Sequence, residues 1–115
     1  MSFDWRKYIE LADELLKQGS EAHWRSSISR AYYGVFCLAR NKSGYKNVKT
    51  ANVHKDVIQY YKMSSNPDYK LVGKVLDELR RNRNDADYNG ERMIDSQLAE
   101  RVLLKSFDIL EKLKL

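Results

Sequence analysis

Apolar residues recur every three to four positions along most of this chain, which is the spacing of one face of an α-helix. No segment of any length alternates apolar and polar residues as a half-buried strand does. The first set of apolar residues with this spacing predicts a helix over residues 4–17, capped by Ser2 or Asp4 and ended by Gly19. Its apolar positions are Trp5, Tyr8, Ile9, Ala12, Leu15 and Leu16.

Four further helices are predicted from the same periodicity, over residues 21–42, 50–62, 67–86 and 94–114. Because the connections between them are short and polar, neighbouring helices are expected to run antiparallel. The sequence therefore predicts an all-α, up-and-down helical bundle of about five helices, in one domain that spans residues 1–115. Inward-facing positions include Ile28, Val35, Val57, Leu71, Leu76, Leu98 and Phe107.

The second and fifth predicted helices carry apolar residues on more than one side. A helix of a small monomer needs only one apolar stripe, so additional apolar surface often meets a partner chain. We therefore expect the protein to form a homodimer.

The charge balance favours an anionic partner, since Lys and Arg total 21 against 16 Asp and Glu, a formal net charge of +5. Nucleic acid, a nucleotide or an acidic protein would suit it. The single cysteine, Cys37, lies in the uncharged run 31–39, which is too short to span a bilayer. The first ten residues are amphipathic and do not form a secretory signal. We expect a cytoplasmic protein with no membrane segment.

Polar residues share one face of the second predicted helix and one face of the fourth, because they fall at helical spacing. If the two faces meet, their guanidinium, hydroxyl and phenol groups would suit phosphate oxygens. The alternative is an internal ion-pair network, Arg30 with Asp85 or Asp87, that locks the two helices together. The residues on these faces are Ser26, Ser29, Arg30 and Tyr33, and then Arg80, Arg83 and Asp87.

Two segments in this order, SSISRAYYGVF at 26–36 and LRRNRNDADY at 79–88, resemble the HEPN domain family. The similarity extends to DWRKYIELADELL at 4–16 and VHKDVI at 53–58, so it covers nearly the whole chain, as in small stand-alone members. It implies a helical bundle that dimerises and places the arginines of both subunits beside a shared groove. Many members are ribonucleases, often toxins, and many small ones are encoded beside a minimal nucleotidyltransferase that acts as their antitoxin.

The chain departs from the family's nuclease motif, an arginine followed after roughly one to two helical turns by a histidine. One toxin subgroup adds a tyrosine two positions later. With Tyr88 in that place, Arg81 is the arginine and Ala86 stands where the histidine belongs. Starting from Arg80 or Arg83 also reaches no histidine. Histidine suits proton removal from the 2′-hydroxyl because its pKa is about 6.5, whereas tyrosine at about 10 and aspartate at about 3.9 suit it poorly.

One further candidate, His54, resembles a histidine that recurs in related small members. It either bonds to a neighbouring helix or reaches the cleft. No metal site is predicted, because His23 and His54 have no nearby cysteine or paired carboxylates, and no cofactor is expected. The candidate ligand-binding residues are Ser29, Arg30, Tyr33, His54, Arg80, Arg81, Arg83 and Tyr88. The candidates for catalysis are Arg80, Arg83, Asp87 and Tyr88.

A second basic stretch at 39–49 carries Tyr45 among four cations. It either follows a nucleic-acid backbone or forms a solvated loop. The cations are Arg40, Lys42, Lys46 and Lys49.

Three functions follow. The first is the HEPN component of a HEPN/nucleotidyltransferase pair that binds nucleotide, RNA or the partner protein through an arginine–tyrosine cleft without efficient catalysis. The second is a divergent metal-independent ribonuclease toxin. The third is a helical dimer or scaffold without a ligand.

Overall fold

The computed structural model describes residues 2–48 and 50–115, and within these ranges the fold is all-α. It contains five helices there, so the predicted number and order of helices are confirmed. No helix of the described ranges is long and apolar enough to cross a bilayer. The helices are α1 (Arg6–Leu16), α2 (Glu21–Ser43), α3 (Val53–Lys62), α4 (Pro67–Tyr88) and α5 (Ser96–Lys112).

Side-chain caps and a glycine set several of the helix ends. The side chains of Ser20, Asn66 and Asp95 accept hydrogen bonds from backbone N–H groups two or three residues further on. Each cap satisfies donors that have no partner within the first turn of a helix. At the other end of α2, Gly44 has φ 92°, a left-handed conformation that glycine adopts without strain.

The central helix is α2, which packs against each of the other four helices. Its side chains Ala31, Tyr32, Val35 and Ala39 are fully buried. This arrangement explains, within one chain, why α2 is apolar on more than one side. The homodimer was predicted from the additional apolar surface of the second and fifth helices. For α2, packing against the other helices of the same chain already accounts for that surface.

The start of α1 lies close against α2 at Gly34, where a Cβ would stand 2.7 Å from Cγ1 of Ile9 and 3.1 Å from the carbonyl oxygen of Trp5. The absent side chain therefore permits this close approach. On another side of α2 lies the last part of α4, joined to it by a hydrogen bond from Ser29 to Asp87. The start of α1, the middle of α2 and the end of α4 thus meet at one place.

Two residues predicted to face inward, Leu71 and Phe107, are instead 46% and 49% exposed. Each is next in sequence to a fully buried residue, Val72 and Ser106 respectively. Successive residues of a helix differ by about 100° around its axis, so both side chains lie at the edge of the buried stripe. The prediction was wrong for these two because the apolar stripe is wider than the surface that the neighbouring helices cover.

Candidate functional site

A cleft of about 510 Å³ opens where the start of α1, the middle of α2 and the end of α4 meet. Its volume lies within the roughly 300–1,000 Å³ that ligand sites usually occupy. The cleft is lined by Trp5, Tyr8, Arg30, Tyr33, Cys37, Arg83, Asp87 and Tyr88. It therefore contains several of the residues that helical spacing singled out on α2 and α4.

Arg83 is held in place by three side chains. Its Nε donates a hydrogen bond to Oδ2 of Asp87 at 2.9 Å, its Nη1 donates to Oδ1 of Asn84 at 3.0 Å, and its Nη2 donates to the hydroxyl of Tyr33. The hydroxyl of Ser29 donates to the same oxygen of Asp87 at 3.1 Å. The Arg83 side chain is only 14% exposed. It is thus a fixed cation whose charge Asp87 partly offsets.

Arg30 is held by aromatic rings. Its guanidinium carbon lies 5.0 Å from the ring centroid of Tyr8 and 5.9 Å from that of Tyr33. Both distances are in the range of cation–π contacts. These contacts leave the N–H groups of Arg30 able to donate to a ligand in the cleft.

The aspartates predicted as alternative partners of Arg30 pair with other residues. Asp87 pairs with Arg83, four residues earlier on α4, and Asp85 pairs with Arg92 beyond the end of that helix. Within residues 2–48 and 50–115, Arg30 has no carboxylate partner. The predicted pairing of Arg30 with Asp85 or Asp87 is therefore wrong.

Rings and guanidinium groups alternate through the cleft in the order Tyr8, Arg30, Tyr33, Arg83 and Tyr88. The guanidinium carbon of Arg83 lies 4.7 Å from the Tyr33 centroid and 5.5 Å from the Tyr88 centroid. Tyr88, at the end of α4, is 76% exposed.

Cys37 also lines the cleft. Burial raises the pKa of its thiol, which therefore stays protonated and adds weakly polar surface.

The other two arginines of α4 lie outside the cleft. Arg81 is 69% exposed and pairs with Asp77 at 3.4 Å. Arg80 is half-buried on a neighbouring side of the helix, where its charge acts on His54 and Tyr32. Arg81 points away from the cleft because positions two apart point to nearly opposite sides of a helix. Arg80 is about 60° from Arg83 around the axis and lies nearly one turn before it, further from the cleft at the end of α4.

Beside the cleft, His54 packs in an aromatic stack. Its ring lies 4.1 Å from that of Phe36 at an angle of 13°, and its Nδ1 lies 2.7 Å from the hydroxyl of Tyr32. Burial, together with the positive charges of Arg80 and Arg83, lowers the pKa of His54 to about 4. At neutral pH this imidazole is therefore uncharged.

The proton of that imidazole can be assigned from its neighbour. Tyr32 is fully buried, and burial raises the pKa of its phenol. A buried hydroxyl proton left without an acceptor would be costly, so Tyr32 donates to Nδ1 of His54. The neutral ring then carries its own proton on Nε2. His54 bonds to a neighbouring helix, as one of its two predicted roles required, and it does not line the cleft.

At the position where one alignment with the HEPN motif requires histidine, Ala86 is 4% exposed and packs in the core. A histidine at position 86 would enter that core. The next residue, Asp87, is the one that lines the cleft. One of its carboxylate oxygens already accepts hydrogen bonds from Arg83 and Ser29.

One structural residue of the site, Arg25, was missed from the sequence. Its Nη1 donates to the carbonyl oxygens of Asp85 at 3.1 Å, Ala86 at 3.1 Å and Asn89 at 3.0 Å, and its Nε donates to Glu21 at 2.9 Å. The side chain is 18% exposed. This cation thus caps the end of α4, where helix carbonyls lack partners. No motif marks an arginine that binds backbone atoms of a distant segment.

The second basic stretch lies at the end of α2, apart from the cleft. Tyr45 packs against Tyr60 with ring centroids 6.0 Å apart, and Arg40 donates to Asn41 at 3.2 and 3.1 Å. Lys49, the last cation of the predicted stretch, lies outside the described residues.

Across the part of the chain that the structure describes, no three His, Cys, Asp or Glu residues are grouped so as to hold a metal ion. No protein-family model, curated protein or solved structure matches the chain. Function therefore has to be inferred from the contents of the cleft and the motifs that surround it.

Proposed function

We propose that this is a HEPN-type protein that binds RNA or a nucleotide through phosphate in the cleft, without efficient catalysis. Arg30 carries the proposal, as a half-buried arginine that faces a cleft of about 510 Å³ and has no carboxylate partner in the described ranges. The planar guanidinium donates two parallel hydrogen bonds to phosphate oxygens. A cation fixed by rings and not by an acid keeps its charge for a ligand.

Arg83 adds a second cation, on the α4 wall of the cleft. Its three side-chain contacts fix its direction, so a ligand need not order it at an entropic cost. Asp87 offsets part of its charge, and this favours a single phosphate group over a highly charged cluster. Two guanidinium groups, Arg30 held by rings alone and Arg83 paired with Asp87, support recognition of one phosphodiester or one nucleotide.

Efficient ribonuclease activity is disfavoured because the cleft lacks a suitable base. With a pKa of about 4 and its Nδ1 bonded to Tyr32, His54 is a poor acceptor for the 2′-hydroxyl proton. The divergent-ribonuclease alternative would need Asp87, Tyr88 or His54 to transfer protons while an arginine of α4 holds the phosphate. It remains the outcome that a cleavage assay would reveal.

The resemblance also supports a minimal nucleotidyltransferase as partner. Tyr88 is the accessible residue for such an enzyme, since it is 76% exposed at the end of α4. Its phenol oxygen would attack the α-phosphate of ATP, release pyrophosphate and lose its proton to solvent. Mass spectrometry should then find adenylate on the tryptic peptide that holds Tyr88, and an unmodified peptide would contradict this assignment.

The homodimer stays part of the proposal. Helix α5 exposes Leu104 and Phe107, which are 60% and 49% accessible in the single chain. Sedimentation velocity should give the mass of two chains, and Leu104→Glu should shift it to one. A wild-type protein that sediments as one chain at all concentrations would exclude the homodimer.

Binding and cleavage can be tested together. Fluorescence anisotropy of a labelled single-stranded RNA hexamer should show Arg30→Ala weakening binding by about tenfold, as expected for a lost charged hydrogen-bond pair. It should also flatten the salt dependence by about 0.7 in log–log slope. Arg81→Ala is the matched control, because it removes the same charge outside the cleft.

The same RNA, incubated with protein and EDTA, should stay intact. Cleavage that disappears in Arg83→Ala would establish the ribonuclease alternative. Equal binding by wild type, Arg30→Ala and Arg81→Ala would show that the cleft is not the site.

A further inference from the structure

The cleft carries more aromatic surface than phosphate binding requires. Trp5 and Tyr8 form its α1 wall, with ring centroids 5.1 Å apart and planes at 89°. Phe3 supports Trp5 from outside the cleft at 5.0 Å and 78°. Across the cleft, Tyr88 forms part of the α4 wall. Phosphate oxygens gain nothing from the rings of Trp5 and Tyr88, so these rings offer aromatic surface to another part of a ligand.

Tyr8 already contacts the guanidinium of Arg30, which leaves Trp5 and Tyr88 as the rings of these walls that can take a flat partner. In the described parts of the chain, no aromatic ring stacks in parallel on Trp5, Tyr8 or Tyr88; the ring contacts of Trp5 and Tyr8 are edge-to-face. Tyr88 is 76% exposed and contacts only the guanidinium of Arg83 among the cations and rings nearby. Aromatic faces left without a parallel neighbour can each take a flat π-system.

Size and charge point to the same kind of ligand. A single phosphate would leave most of a cleft of about 510 Å³ empty. A base joined to its sugar and phosphate would place a π-face beside the rings and an anion beside Arg30. Single-stranded nucleic-acid sites combine these two elements, cations along the backbone and aromatic side chains under the bases. Paired bases present no free face, so duplex RNA does not meet these requirements.

We infer that the cleft holds one unpaired nucleobase, stacked on the rings of Trp5 and Tyr88, with its adjoining phosphate on Arg30. This rests on the proposed function, and it adds that the base contributes to affinity alongside the phosphate. The ligand is therefore single-stranded RNA or a free nucleotide. Stacking on aromatic side chains tolerates every base, so recognition should depend weakly on sequence.

The protein contains its own reporter for this contact. It has two tryptophans, Trp5 in the cleft and Trp24 on α2 outside it. In Trp24→Phe, excitation selective for tryptophan reports Trp5 alone, and a single-stranded RNA hexamer should quench its emission to saturation. In Trp5→Phe, only Trp24 remains, and its emission should not change. Equal responses from the two variants, or none from Trp5, would contradict base stacking.

Affinity gives the second readout. A hexamer of abasic nucleotides carries the same phosphates and should bind about tenfold more weakly than the base-bearing hexamer. Tyr88→Ala should weaken binding of the base-bearing hexamer similarly without affecting the abasic one. Tyr88 suits this purpose because it is exposed and its loss leaves the core intact. The control is Met63→Ala, which truncates a large exposed side chain at the end of α3, away from both the cleft and the exposed apolar residues of α5.

The outcomes separate this inference from the function on which it rests. Equal binding of the abasic and base-bearing hexamers would exclude stacking and leave phosphate recognition standing. Failure of both hexamers to bind, even at low salt, would exclude both. A 5′-mononucleotide that quenches Trp5 as fully as the hexamer identifies a free nucleotide as sufficient. Quenching by the hexamer alone assigns the site to RNA.

Discussion

Replacing Arg25 with alanine should destabilise the fold and loosen the α4 wall of the cleft. The guanidinium joins the start of α2 to the end of α4 and the turn after it, by donating to four backbone carbonyls (Asp85, Ala86, Asn89 and Arg92) and to Glu21. It also places a positive charge at the negative end of the α4 dipole. Alanine would leave the carbonyls of Asp85 and Ala86 without this partner, within one turn of Arg83 and Asp87, which line the cleft.

The size of the effect follows from these contacts. A hydrogen bond to a charged group contributes about 1.5–3 kcal/mol, and a cation at a helix end contributes up to about 2 kcal/mol. Because several acceptors share one cation and lie near water, we expect about 2–4 kcal/mol in total. A chain of 115 residues unfolds with an entropy of about 0.24 kcal/mol per degree, so Tm should fall by roughly 8–16 °C.

Thermal and urea unfolding followed by circular dichroism measure this loss. Arg25→Lys keeps the charge but cannot span all the acceptors, so it should lose about half as much. Arg81→Ala removes an exposed arginine of α4 and should cost about 0–1 kcal/mol. Hydrogen exchange should become faster for the amides of residues 85–89 in Arg25→Ala alone. A Tm within about 2 °C of that of Arg81→Ala would refute the capping role.

Three further predictions concern pH, packing and binding. Burial lowers the pKa of His54 to about 4, below the value of about 6.5 in the unfolded chain, so the unfolded state takes up the proton first. The free energy of unfolding should therefore fall by on the order of 2 kcal/mol as the pH drops from about 6.5 to about 4. In His54→Gln, urea unfolding should show a smaller decrease over the same pH range, because that part of the loss is absent. A Cβ at Gly73 would lie 2.5 Å from the backbone nitrogen of Lys62, so Gly73→Ala should lower the free energy of unfolding in urea by about 1–3 kcal/mol, despite better helix propensity. Arg30→Ala should change that free energy by no more than about 1–2 kcal/mol, since it removes only two cation–π contacts, while RNA titration shows the loss of binding. Each prediction has its own contrary result. These are a pH dependence of stability in His54→Gln equal to that of the wild type, a Gly73→Ala variant as stable as the wild type, and an Arg30→Ala variant that fails to fold.

The helices could be predicted from the sequence because local chemistry specifies them. The second helix, predicted over residues 21–42, spans Glu21–Ser43 in the structure, where Ser20 caps its start and Gly44 its end. Helical spacing also placed Tyr33 with Arg30, and Arg83 with Asp87, on common faces. These relations hold within one helix, so no knowledge of packing was needed.

Contacts between helices could not be predicted in the same way. Pairing Arg30 with an aspartate of α4 assumed a register between two helices that periodicity does not determine. Asp87 instead pairs with Arg83, four residues away on its own helix, where helical geometry alone brings the groups together. Trp5 was assigned to the buried stripe of α1, yet it lines the cleft because it lies at the open start of that helix.

The most direct test of phosphate recognition is the arginine side-chain Nε–Hε NMR spectrum, titrated with single-stranded RNA hexamer. Arg30→Lys assigns the signal of Arg30. This signal should shift progressively to saturation, while that of Arg81 outside the cleft should stay in place. A shift of Arg81 with no change at Arg30 and Arg83 would contradict the claim that this cleft binds the ligand.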